Sequence, residues 1–134
     1  MPPRFSPRGL VTPPQAFWNE DVEGTWAEPR SAEDAEQLLV AYYLSQVSRD
    51  VVAALGEIGW TRGDLAAAIG EDARNLRRKV NGEYPATFED ALRWALVLNR
   101  PHIVYALNSA SELAPTGMLS SVRRHLAPAT LRGQ

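Results

Sequence analysis

The 134-residue chain contains no cysteine, which removes disulfides, thiolate nucleophiles and cysteine-held zinc or iron–sulfur clusters from consideration. Histidine is nearly as scarce. His102 and His125 stand far apart in the chain with no carboxylate pair beside either, so no metal site is expected. Glycine-rich phosphate loops and carboxylates paired at catalytic spacing are also missing, and the chain is expected to be neither an enzyme nor a cofactor binder. No segment approaches the ~20 apolar residues of a membrane span, and MPPRFSPRGL at the amino terminus holds no apolar run of signal-peptide length. The expected location is therefore cytoplasmic, with no membrane partner. Strong charge of one sign is lacking too, since the formal net charge is -2.

With 45% hydrophobic and 22% charged residues, the chain suits one soluble domain plus an appendage. Its charge is unevenly laid out. Residues 31–61 carry one basic and five acidic side chains, whereas residues 62–100 carry seven and six and residues 101–134 three and one. Arg74, Arg77, Arg78 and Lys79, the chain's single lysine, crowd into the acid-free stretch Ala73 to Lys79. A polyanion would be steered toward that second half.

Most of the ten prolines fall in residues 1–30, which excludes a long regular element there. Phe5, Phe17, Trp18 and Trp26 are interspersed among them, unlike a purely solvated tail. This segment is expected to be an irregular strap that lays its aromatics on the core or on a partner; an arm reaching DNA through Arg4 and Arg8 is the competing reading.

Residues 31–113 are expected to form a helical domain, and residues 114–134 a C-terminal helix and tail. Ser31-x-x-Asp34 matches a capping box, with Glu33 and Glu36 favourably placed in the first turn of a long helix over 32–58. Ala35, Leu38, Leu39, Tyr42, Tyr43, Val47, Val51, Ala54, Leu55 and Ile58 recur in steps of three and four, as one buried stripe requires. Thr61 caps a helix from Arg62 to Ile69 that Gly70 ends, and Asp72 caps the next, Ala73 to Val80. Asn81-Gly82 stops that helix. Thr87 caps a fourth, with Phe88, Ala91, Leu92, Ala95, Leu96 and Leu98 as its expected buried face. His102 to Leu113 and Met118 to Leu126 read as a fifth and a sixth. Alternation of period two is missing, so the expected class is all-α with five to six helices.

Gly59-Trp60-Thr61, Leu65-Ala66-x-x-Ile69-Gly70, Leu76, Asn81-Gly82, Pro85 and then Leu92, Ala95 and Leu98 occur together at consistent spacings. Over this stretch, Gly59 to Leu98, the sequence resembles the helix-turn-helix family of phage repressors and Cro-type regulators, the XRE family. The resemblance implies a lambda-repressor-like core with its helix-turn-helix at 62–81. It departs from the family at Arg62, where Gln is common, and at Lys79, where an apolar residue is common.

Carried over by position, the resemblance implies that helix 73–80 enters the major groove. Ala73, Arg74 and Arg78 match base-contacting positions, with Asn75 alongside as a further base contact; Arg77 and Lys79 are expected to neutralise phosphates, and Arg62, Tyr84 and Thr87 are phosphate-contact candidates. Helical geometry agrees for part of this set: Leu76 and Val80 face the core, while Arg74 and Arg78, four apart, share another face. A solvated basic helix paired with Glu71, Asp72 and Glu83 is the plain alternative. The expected function is a sequence-specific double-stranded-DNA-binding transcriptional regulator, a repressor acting as a homodimer on a palindromic operator. Its dimer surface is expected from the long helix or from the helices after Pro101. The alternative is a protein-interaction module, such as an antitoxin or architectural accessory factor, whose residues 1–30 bind a partner protein.

Overall fold

A computed structural model describes residues 5–104. It is mostly helical. Four helices, α1 (Ala32–Ile58), α2 (Arg62–Ile69), α3 (Ala73–Val80) and α4 (Phe88–Leu98), follow a two-stranded antiparallel ladder of β1 (Val11–Thr12) and β2 (Thr25–Trp26). The ladder pairs Val11 with Trp26 and Thr12 with Thr25, too short to leave a period-two signal in the sequence. The expected fifth and sixth helices lie outside the described residues except at the start of the fifth, where Pro101–Ile103 forms a 3-10 turn. Arg4 of the alternative arm also lies outside them.

Each helix begins where its polar cap dictates. The Asp34 N–H donates to Ser31 Oγ at 3.1 Å, but the Asp34 carboxylate accepts from the Arg30 N–H, one residue beyond a reciprocal box. Helices α2 and α4 do carry full capping boxes, Thr61 with Asp64 and Thr87 with Asp90. Gly59 and Gly70 end α1 and α2 at φ of 73° and 72°, a region that suits glycine.

Helix α1 is the spine. Its carboxyl half sends Val47, Val51, Ala54 and Leu55 into a core shared with Leu65, Leu76, Val80, Trp94 and Ile103. Burying side chains of this size contributes about 1.5–3 kcal/mol each. Its amino half packs Ala35, Leu38 and Tyr42 against Leu10 and Trp26 of the strap. Trp26 meets the Tyr42 ring edge-on at 5.2 Å.

Polar bonds hold the strap in place. Ser45 Oγ donates to the Phe17 carbonyl at 2.7 Å, and the Arg49 guanidinium donates to the carbonyls of Ala16 and Val22. The strap is thus bound to the middle of α1 by satisfied carbonyls as well as by apolar contact. Contrary to expectation, α1 reaches the length and hydropathy of a membrane span, with a mean of 1.2 over its most apolar window. Of that window 56% is buried within the fold, because strap and core both draw on this one helix.

Helix α4 corrects the expected pattern. Ala91, Trp94, Ala95 and Leu98 face the core, whereas Phe88, Leu92 and Leu96 are 60%, 42% and 81% exposed. The helix is apolar on two sides, so composition alone could not say which stripe is inward. Trp94, the largest fully buried side chain among the described residues, decides it. Ile58, expected in the stripe of α1, is also exposed at the helix end.

Candidate nucleic-acid interface

Helices α2 and α3 meet at a sharp turn built by Gly70, Glu71 and Asp72. The Glu71 N–H returns to the Ala66 carbonyl at 2.9 Å, and Asp72 then caps α3 by accepting from the Asn75 N–H. Leu65 and Ala66 on α2 and Leu76 and Val80 on α3 are buried together, which fixes the rotation of α3. Arg74, Asn75 and Arg77 consequently stand in solvent. Arg77, Arg78 and Lys79 occupy the last turn of α3, where the helix dipole favours cations.

The neighbouring acids do not neutralise this face. Glu71 takes Lys79 at 2.7 Å, Glu83 takes Arg8 at 3.1 Å, and Asp72 is committed to its cap. Among the described residues, Arg74 and Arg77 have no acidic partner. Arg78 is half-buried and donates to Tyr84 Oη at 3.1 Å, with its guanidinium carbon 5.3 Å from the Tyr84 ring centre. Of the expected pairing with Glu71, Asp72 and Glu83, Glu71 does pair with Lys79, while Asp72 and Glu83 go to other partners.

Lys79 does not join the outward set. Its ammonium bridges Glu71 and Asp90, the latter at 3.2 Å and almost wholly buried. Burial pulls its pKa down, but hydrogen bonds and charge from Glu71 and Asp90 outweigh that and hold it above the ordinary lysine value. Lys79, which stands where the resembled family commonly has an apolar residue, thus ties the turn before α3 to the start of α4. Glu71 is among the acids of the plain alternative, but spacing gives no sign of Asp90, eleven residues away on α4.

The other expected contacts divide. Ala73 is half-buried and packs against the core, which limits what it can offer a base. The Thr87 hydroxyl caps α4, accepting from the Asp90 N–H and keeping its own O–H donor. Tyr84 supports Arg78. Arg62, at the first position of α2, is half-buried; its Nε is buried and has no hydrogen-bond partner among the described residues. Burial, and then the charge of Arg77, lower its pKa from the ordinary guanidinium value. Arg62 and Arg77, from separate helices, line one cleft. The sequence showed each arginine but not their meeting.

Comparison with protein-family models, with curated proteins and with solved structures returns no match. The functional argument therefore rests on geometry and on the resemblance of the sequence motifs. Among the described residues, no group of three or more His, Asp or Glu is arranged to hold a metal ion.

The strap reaches this region as well. The Arg8 N–H donates to the Gly82 carbonyl at 2.9 Å, and the buried Phe17 ring lies against Gly82 itself. Arg8, a candidate for the DNA arm, is thereby engaged beside the end of α3. Phe17 and Trp26 serve the attachment of the strap rather than standing open to a partner.

Proposed function

We propose that the protein is a sequence-specific double-stranded-DNA-binding transcriptional regulator with a helix-turn-helix at 62–81. The observation that carries this reading is the outward row Arg74, Asn75, Arg77 and Arg78 on a helix anchored by Leu76 and Val80, with neighbouring acids engaged elsewhere. Arg74 and Arg78 are the base readers, and an arginine fork on guanine O6 and N7 supplies sequence discrimination. Tyr84 orients Arg78. Arg77 and Arg62 neutralise phosphates, and Asn75 reads adenine or binds backbone. Lys79 is reassigned from phosphate contact to support of the turn.

A single recognition helix reads too few base pairs for adequate specificity, so two copies bind half-sites ~34 Å apart. The second copy docks on the apolar face formed by Val40 of α1 and Phe88, Leu92 and Leu96 of α4, which the described residues leave uncovered. Repression by covering a promoter is the simplest output of such a dimer. The competing protein-interaction reading relied on the aromatic strap, whose main aromatics are engaged internally.

Selection of bound duplexes from a random pool, followed by salt-controlled shift assays, tests the proposal. A palindrome with guanine in each half-site is expected. Arg74→Ala and Arg78→Ala should each weaken it roughly 5- to 150-fold while non-specific binding changes far less. An unselected pool, or unaltered specificity in the double variant, would refute it.

A further inference from the structure

The cleft that Arg62 and Arg77 share has a volume of about 510 Å³, within the size range of small-molecule sites. One wall is apolar, formed by Val52 and Leu55 of α1 and by Trp60. Gly56 leaves it open, since a Cβ there would meet nothing within 4 Å. The lining also carries two cations and, among the described residues, no acid. Among the described residues the buried Arg62 Nε has no acceptor, and the nearby Arg77 charge opposes that of Arg62. Such an arrangement is relieved by an anion, and guanidinium forks match the paired oxygens of carboxylates and phosphates.

We propose that this cleft is a binding site for a small organic anion with a planar apolar body, an aryl carboxylate or aryl phosphate monoester. Its head lies between Arg62 and Arg77, and its body rests on Val52, Leu55 and Trp60. The assignment stands without the DNA reading. Where that reading holds, the ligand competes with backbone phosphate for both arginines and so acts as an effector.

The test uses the full chain at fixed ionic strength, titrated with phenyl phosphate and with inorganic phosphate and followed through the Trp60 indole resonance and by calorimetry. Saturable binding of phenyl phosphate at least tenfold tighter than inorganic phosphate is expected. Arg62→Gln and Gly56→Leu should each weaken it at least tenfold, with helical content unchanged by circular dichroism. The absence of saturable binding, equal affinity for the two probes, or undiminished binding in both variants would overturn the proposal. A duplex arm separates free ligand from nucleic-acid backbone. Gly56→Leu, which fills the cleft but keeps both charges, should lose phenyl phosphate while retaining duplex affinity. Parallel loss of both would make the cleft part of the backbone contact alone and overturn the effector assignment. Because the first titration contains no DNA, its failure leaves the regulator reading to its own assay.

Discussion

Replacing Gly82 by alanine probes the junction between the strap and the end of α3. Gly82 has a φ of 80°, and a Cβ built there would lie 2.6 Å from Cδ1 and 2.7 Å from Cε1 of Phe17. The left-handed conformation costs an alanine about 1–2 kcal/mol, less about 0.4–1 kcal/mol from the reduced freedom of the unfolded chain. The ring cannot step aside cheaply, because Phe17 is fully buried in a cluster with Val11, Ala16 and Leu44. Forcing a close-packed group to shift adds about 1–3 kcal/mol. Gly82→Ala should therefore destabilise the protein by about 2–4 kcal/mol.

Gly70→Ala is the control, since Gly70 has nearly the same φ, 72°, but no atom within 4 Å of its Cβ position. It should cost only about 1 kcal/mol. Urea unfolding followed by tryptophan fluorescence gives both values, provided the slopes stay equal. Adding Phe17→Ala should make Gly82→Ala cheaper by about 1–3 kcal/mol, the coupling expected for a shared contact. Equal costs at Gly70 and Gly82, with no coupling to Phe17, would refute the seating of the strap on α3.

Three further outcomes follow from the same geometry. Lys79→Met should cost about 2–4 kcal/mol by stranding Glu71 and the buried Asp90, with the salt slope of DNA binding nearly unchanged; a lower slope at intact stability would restore Lys79 as a phosphate contact. Its elevated pKa fixes the sign: the stabilisation is complete below pH 10.5 and is lost as pH rises through the higher folded value. Asp50, whose pKa is raised by burial despite the opposing charge of His102, makes the folded state less stable as pH climbs from 3.8 through its folded value. Asp50→Asn should accordingly raise the melting temperature at pH 7 and lose that advantage below pH 3.8, whereas a lower melting temperature at pH 7 would contradict the burial argument. Finally, Leu96→Glu should shift sedimentation equilibrium of the proposed dimer toward monomer with little change in unfolding midpoint, because Leu96 is 81% exposed; an unchanged dimer would move the interface elsewhere.

The sequence by itself determined the four described helices and their limits. Ser31, Thr61, Asp72 and Thr87 cap them, and Gly59 and Gly70 end two of them, because capping depends on residues only three or four apart. It also exposed the basic row on α3, since burying Leu76 and Val80 turns Arg74 outward whatever the partner. Tertiary structure decided what local spacing cannot encode. It chose which apolar stripe of α4 faces inward, placed Lys79 between two acids, set Phe17 on Gly82, and brought Arg62 and Arg77 to one cleft. Each of those depends on groups from separate elements meeting in space. Propensity and periodicity describe one element at a time, whereas charge pairing and close packing belong to the assembled core.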